Sequence, residues 1–374
     1  VPHPLDEYPI HQSPLSAAQV ATSDRNAYDR YYFNAHDRTG DRYVILGLGV
    51  YPNLGTADAF ATFRHGLDQV TVRASDVLED LDRLAPAVGP ISVEVLDPLN
   101  ELAVTVDAPE HGLTAALRWR ALFPAVDEQP HRWRGAGDRL TLDAQRFAQL
   151  GTWEGELVLD GVRHEVDPGR WIGSRDRSWG IRPSGAPEPP ERAAAEPIEG
   201  FWWLYVPVAF DDFAIVCIVQ EEPDGHRVVN DAVRVWPAEA GRRPEQLGWP
   251  RVAVRYRPGT RDPLGATIEL TERDGTPLVL EVESLGSIAL NAGPGYGGDH
   301  TGWSHGAWRG RGWSERVDLR TNDPAVAAMA AFSVVDHVGR ARLGNREGWG
   351  LFEHGTFGRH DPSGFAGWDD VAPG

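Results

Sequence analysis

The chain has 374 residues, 36 Lys+Arg against 55 Asp+Glu, and a formal net charge of −19. That balance repels phosphate backbones and excludes nucleic acid as its partner. The longest apolar runs, 201–210 and 213–219, are broken by Pro207 and Asp211-Asp212, so none reaches the about 20 apolar residues of a membrane span.

Cys217 is the sole cysteine, which excludes an intrachain disulfide; inside an apolar, strand-like run it reads as a small buried hydrophobe and points to a reducing, cytoplasmic setting. The length predicts two domains, and 41 Gly with 14 Trp suit turn-rich, aromatic-lined β architecture better than helix bundles. Residues 1–20, with Pro2, Pro4, Pro9 and Pro14, read as an N-terminal arm lying on the surface. Strands are predicted at 31–35 and 42–51 around the turn 36–41, and a further hairpin joins 59–63 to 69–75 around His65-Gly66. Runs at 91–96, 102–107 and 113–121 follow with the turn spacing of an antiparallel meander, while 77–84 holds at most a turn or two of helix. Residues 131–143 read as basic and irregular; 149–159 turns at Asp160-Gly161 into 162–166 as a hairpin.

Pro183, Pro187, Pro189, Pro190 and Pro197 mark an exposed connection. The chain is therefore divided into a first domain at 21–183, a linker at 184–198, a second domain at 199–365 and a tail at 366–374. The second half predicts strands at 201–209, 213–220, 227–236, 251–256, 266–271 and 278–285, and one helix at 324–332 capped by Asn322 or Asp323. Gly151-Thr152-Trp153-Glu154-Gly155 is echoed by Gly306-Ala307-Trp308-Arg309-Gly310, and Asp176-Arg177-Ser178-Trp179-Gly180 by His354-Gly355-Thr356-Phe357-Gly358. The shared order predicts two related β domains, with 318–348 as a helix-containing insertion in the second.

Residues 171–182 pack two Trp, three Arg, one Asp and two Gly together. On a strand, Arg175, Arg177 and Trp179 face one way and Ser174, Asp176 and Ser178 the other. Asp176 is then either a structural ion clamped by an arginine or, in an apolar pocket, a carboxyl held protonated for use as a general acid. Glu353-His354 offers a further acid/base pair, and Trp202, Trp203 and Tyr205 an aromatic wall whose alternative use is core packing. Tyr296, in the glycine-rich run 293–298, is placed to cover a ligand. His300 and His305 lack third and fourth ligands at a local spacing, so no metal site is read. Gly-x-Ser-x-Gly is absent, which leaves no serine-hydrolase case.

Gly-x-Trp-x-Gly, the Arg175, Asp176, Ser178, Trp179, Gly180, Arg182 core, the Tyr51-Pro52-Asn53 turn and the terminal run 349–355 resemble the carotenoid 1,2-hydratase/hydroxyneurosporene synthase-like proteins. That tandem lipocalin-like group also takes in AttH-type proteins and fungal decalin-forming pericyclases, and the resemblance spans about 28–365. It implies an all-β protein of two lipocalin-like antiparallel barrels side by side, with an apolar ligand in a barrel or between them. Hydratase members carry Asp-His-x-Trp followed by Tyr-x-Asp; here Arg177 stands for the histidine, and Tyr205-Val206-Pro207 has proline for the acid. Arginine cannot give up its proton, so the acid must be another group, with Asp176, Asp211, Asp212 and Glu353 as candidates.

The reading that follows is a cofactor-independent hydratase, lyase, isomerase or cyclase acting on an isoprenoid, steroid or polyketide-like small molecule. Asp176, Glu353 and His354 are its catalytic candidates; Arg177, Trp179, Trp202, Trp203, Tyr205, Tyr51, Tyr296 and His305 are its ligand-binding candidates. A carrier of an apolar ligand and an interaction scaffold are the alternatives.

Overall fold

A computed structural model describes residues 2–11, 22–134, 140–185, 198–297 and 302–374. Most of the linker expected at 184–198, the second half of the expected arm, and His300 lie outside the described residues.

The first half contains β1 (Ala27–His36), β2 (Arg42–Tyr51), β3 (Thr56–His65), β4 (Asp68–Val77), β5 (Ala87–Val88), β6 (Ile91–Asp97), β7 (Glu101–Ala108), β8 (Leu113–Ala121), β9 (Val126–Asp127), β10 (His131–Arg134), β11 (Leu140–Leu159), β12 (Val162–Val166) and β13 (Ile172–Ile181). The second contains β14 (Gly200–Ala209), β15 (Ala214–Glu221), β16 (Arg227–Val235), β17 (Glu245–Gln246), β18 (Arg251–Tyr256), β19 (Pro263–Thr271), β20 (Pro277–Ala289), β21 (Trp313–Arg320), α1 (Pro324–Ala330), β22 (Val335–Leu343) and β23 (Arg346–Gly358). The helix begins where its sequence says it should: Asp323 accepts a hydrogen bond from the Ala325 N–H at 2.8 Å, and Pro324 fills a position whose N–H would have no partner.

These strands build two curled antiparallel sheets, half-barrels lying side by side, with little helix. The first runs β21-β4-β3-β2-β1-β13-β11-β8-β7-β6-β5, with β9, β10 and β12 also on β11; the second runs β17-β16-β15-β14-β23-β22-β20-β19-β18. In each, the first long strand pairs with the last, β1 with β13 and β14 with β23. The 176–180 and 354–358 echo therefore sits on matching strands. The other echo does not: Trp153 is fully buried in β11, whereas Trp308 is 51% exposed in a loop.

Three expectations change. Residues 318–348 are no insertion, because β22 is a central strand of the second sheet between β20 and β23. β21 leaves its own half altogether and lengthens the first sheet along β4, from Trp313 opposite Ser75 to Arg320 opposite Asp68. The segment after His131 forms β10 rather than an irregular stretch, paired with the start of β11.

The expected surface arm is also partly an interior element. Glu7 is fully buried and meets Arg175 through two hydrogen bonds, at 2.5 and 2.7 Å, while its backbone carbonyl accepts from the Tyr31 hydroxyl at 2.6 Å. His11 stacks on Trp179 at 3.5 Å and hydrogen-bonds Asp29 at 2.8 Å. The segment thus seals one end of the first half-barrel.

Alternation along the strands creates three apolar regions. Tyr31, Phe33, Leu46, Leu48 and Trp153 fill the first half-barrel; Trp202, Leu204, Val206, Cys217 and Phe352 fill the second. Tyr32, Ile45, Trp203, Tyr205, Val338 and Leu351 pack between the sheets. Cys217 is the buried hydrophobe that its sequence suggested, its thiol pushed up to about 12 by burial.

Breaking a buried ion pair on one side leaves an uncompensated charge, at a cost of about 3–5 kcal/mol. Glu7→Gln should destabilise the protein by about that much in a denaturant titration. A Glu7→Leu/Arg175→Met double variant should recover most of the loss, and an unaltered midpoint in Glu7→Gln would show that the segment is dispensable.

Candidate functional site

The polar residues that the fold buries without an architectural partner gather between the sheets. On the first sheet, Tyr32 of β1 lies directly opposite Asp176 of β13, and Ala148 of β11 flanks Asp176 on its other side. On the second, Tyr205 of β14 lies opposite Glu353 of β23, which is in turn opposite Asp336 of β22. Each sheet therefore presents a tyrosine beside a carboxyl to the other.

The two rows are joined by hydrogen bonds. The Tyr32 hydroxyl donates across the gap to Asp336 Oδ2, and Trp203 Nε1–H donates to Glu353 Oε1. Asp336 Oδ1 has no donor, as befits an oxygen that carries a proton toward Glu353. Burial, followed by repulsion from Glu353, holds the Asp336 carboxyl well above the usual carboxylate range; burial also raises Glu353, against the hydrogen bond from Asp336 and the charge of Arg146. Of the two, Asp336 is the one whose surroundings more strongly favour the protonated form.

Asp176 forms no hydrogen bond or ion pair among the described residues. Burial pushes its carboxyl up to about 7; Arg146 and Arg30 oppose the shift, while Glu128 and Glu353 add to it. Arg146 Nε donates to Glu128 Oε2 at 2.5 Å, and its guanidinium lies over the Tyr205 ring at 4.9 Å and the Trp203 ring at 5.6 Å. Despite burial, Glu128 and Asp176 hold that guanidinium charged. The cluster is not sealed from solvent: Asp176 keeps 9% of its surface, the Arg146 side chain 20%, and Glu353 is half-buried. The Tyr43 and Tyr205 hydroxyls, both buried, form no well-aligned hydrogen bond among the described residues, although Tyr32 lies close to the first and Glu128 to the second.

One end of this gap is closed by the loop before β21. Tyr296 lies under the Arg30 guanidinium at 4.6 Å and against His305 at 4.5 Å. His305 Nε2 contacts Arg30 Nη2 at 3.0 Å, and burial with the charge of Arg30 lowers its imidazole to about 4. Tyr51 donates to Asp58 at 3.3 Å, and Asp58 also lies 3.5 Å from His305.

The residues singled out in the sequence thus fall into three groups. Asp176, Glu353, Trp203 and Tyr205 meet between the sheets; Tyr51, Tyr296 and His305 lie at the end of the same gap. Arg177, Trp179, Trp202 and His354 point elsewhere. Arg177 pairs with Asp29 at 2.5 Å and covers the Tyr31 ring at 3.8 Å on the first half-barrel's side. Trp179 carries His11. Trp202 belongs to the second half-barrel's core, where His354 hydrogen-bonds the Trp203 carbonyl at 2.6 Å and the Tyr256 hydroxyl at 3.0 Å. Of the alternative acids, Asp211 and Asp212 are exposed in a turn.

Asp336, Tyr32, Tyr43, Arg30, Arg146 and Glu128 were not singled out. The even-numbered polar residues Arg30, Asn34 and His36 in β1, sharing a face with Tyr32, were the signal that marks this surface. Among the described residues no group of three or more His, Cys, Asp or Glu is placed to hold a metal, and no helix is long and apolar enough to cross a membrane.

Fold and site together define a two-domain lipocalin-like β protein with a buried carboxyl cluster between its sheets. The chain belongs to the family of unknown function DUF8625, whose model matches residues 3–366. No curated protein sequence matches it.

Among solved structures, an AttH-type protein from Nitrosomonas europaea is similar, with TM-score 0.53 at 11% identity over 92% of this chain and 97% of that one. CghA solved with Sch210972 aligns with TM-score 0.51 at 12% identity over 88% of each chain. Kievitone hydratase from Nectria haematococca aligns with TM-score 0.49 at 13% identity over 97% and 99% of the two chains. The likeness is one of fold and does not single out carotenoid hydratases.

The raised Asp176 carboxyl has a stability consequence. A folded-state value of about 7 against an ordinary 3.8 means that the native state binds the extra proton. The contribution is complete below about pH 4 and is lost as pH rises through about 7. Between pH 5 and 8, Asp176→Asn should therefore gain on the order of 2 kcal/mol relative to the parent. Denaturant titrations of both proteins across that range test this, and parallel pH profiles would show Asp176 to be ionised throughout.

Proposed function

We propose that this protein is a cofactor-independent enzyme that adds or removes water from, isomerises or cyclises an apolar small molecule held between its two sheets. The substrate class is isoprenoid, steroid or polyketide-like. The observation that carries the reading is Asp176, an unpaired buried carboxyl raised to about 7 and facing a sheet whose Asp336 and Glu353 carboxyls are raised as well.

In this reading Asp176 is the acid. Its O–H transfers a proton to an alkene carbon or to a departing hydroxyl, and the site's exclusion of bulk water makes that donor effective. The ionised Glu353 takes the proton lost by attacking water, or by a neighbouring carbon when the product is an alkene. Glu353 is held in place by the Trp203 indole N–H. The Trp203 and Tyr205 rings, which carry the Arg146 guanidinium, form the aromatic wall of the path; the Tyr43 and Tyr205 hydroxyls, which meet no well-aligned hydrogen-bond partner among the described residues, are available to bind a substrate oxygen. Both half-barrels are filled with their own apolar side chains, so the site is assigned between the sheets and not to a lumen. CghA, of similar fold, has been solved with a small molecule, Sch210972, which accords with a ligand-binding role.

The test is mass spectrometry of apolar molecules that copurify with the protein, followed by incubation and a search for an 18 Da change or an isomer of altered retention. Asp176→Asn should still carry the molecule and lose turnover by about 10²–10⁴-fold, with Glu353→Gln in the same range. Turnover by the parent should fall as pH rises above about 7, where Asp176 loses its proton. A molecule that is held and released unchanged would make the protein a carrier; the absence of any bound apolar molecule would remove both readings.

A further inference from the structure

A second recognition site lies outside the carboxyl cluster. A pocket of about 490 Å³ opens beside the turn after β2, walled by Arg25, Leu54, Trp303, Trp308 and Arg309 and by the backbone around Gly306. Among the described residues no carboxylate lines it, in a chain whose net charge is −19. Trp308 is 51% exposed there, a large indole surface left open to solvent. Arg309 is exposed as well and forms no hydrogen bond or ion pair among the described residues.

The floor is fixed in place. Gly306 has a φ of +77°, which disfavours any side chain, and a Cβ there would press on Leu54 and Tyr51 at 3.0–3.2 Å. Its N–H donates to Asp58 Oδ2 at 2.6 Å, and its carbonyl accepts from Thr56 Oγ1 at 3.0 Å. The opening is therefore a built wall rather than a slack loop. Trp303 connects it with the space between the sheets: it lines the pocket, yet it is 2% exposed and belongs to the inter-sheet core, where its indole N–H has no partner. From Trp303 a run of ring contacts passes to His305 at 5.2 Å and on to Tyr296 at 4.5 Å, beneath Arg30.

We propose that this pocket binds an amphipathic organic anion, an aromatic or otherwise unsaturated body bearing a carboxylate. Arg309, with Arg25, takes the carboxylate, and the exposed Trp308 ring takes the body, with Trp303 as the buried wall behind it. Two features decide for an anion: the exposed Arg309 guanidinium, which has no hydrogen bond or ion pair among the described residues, and the absence of an acid among the described lining residues. The volume lies in the range of small-molecule sites. Where the site between the sheets is an active site, as proposed above, this pocket gives its apolar substrate an acidic end and a place of first contact.

Binding can be read without knowing the natural molecule. The full chain is titrated with 1-naphthoate and with 1-naphthylmethanol, an uncharged probe of similar shape, by calorimetry and by tryptophan fluorescence. The acid should bind at least about tenfold more tightly than the alcohol. Arg309→Ala should remove most of that preference, and Trp308→Ala should weaken both probes; both side chains are exposed, so both variants keep the fold. Equal affinity for the two probes, no binding of naphthoate, or an unaltered preference in Arg309→Ala would overturn the proposal. Because the titration reads binding alone, charge-selective binding without any turnover would overturn only the catalytic reading. Turnover without charge-selective binding would overturn only this one.

Discussion

The structure depends on strands that are buried on both faces. In β1, β13, β14 and β23 one set of alternate side chains fills the strand's own half-barrel, and the other set meets the opposite sheet. A half-barrel that turned its outer face to water would be polar there; these sheets cannot be, because each is the other's solvent. Any charged group on the shared face therefore pays full desolvation unless it finds a partner or keeps a proton.

That condition sets the protonation of the cluster. Arg30, Arg146 and Arg182 lie with Asp176 and Glu128 on the first sheet's side of the gap and Asp336 and Glu353 lie opposite, all close enough to influence one another. Three fixed cations cannot neutralise four ionised carboxyls in a low-dielectric region, so at least one proton is retained. Glu128 takes the strongest claim on Arg146 by direct contact. Asp336 keeps a proton through its opposition to Glu353, and Asp176, with no contact cation, is left poised near neutrality. Environments that push neighbouring carboxyls apart in this way are how one site provides both a donor and an acceptor.

Much of this was legible in the sequence, and what was missed has a physical reason. Turn residues and alternation located most strands, including the exact bounds of β18 and β2. β22 is hidden because Pro324-Ala325-Val326-Ala327-Ala328 is a strong helix start, and the stretch around it, 318–348, therefore reads as a helix-containing insertion. Losing β22 meant losing Asp336. β21 looked unremarkable because which sheet a strand joins is decided by tertiary packing, not by its own residues. For the site, the sequence offered adjacent pairs: Asp176-Arg177, Trp202-Trp203 and Glu353-His354. The pleat admits only one of each pair to a given face, and a single sequence does not say which face is which.

Arg177 shows why that distinction matters for chemistry. It stands where the resembling hydratases have a histidine, and from sequence alone its arrival looks like the loss of a proton-handling group beside Asp176. In the fold it points away from Asp176 into a different region, where it binds Asp29, covers Tyr31, and through Asp29 reaches His11 stacked on Trp179. A guanidinium here anchors the segment that also buries Glu7 on Arg175. The two arginines and the N-terminal segment thus form one device that closes the first half-barrel, while Asp176, on the reverse face of the same strand, is not paired with either of them. A residue that reads as a defect in the site is, in space, part of the wall behind it.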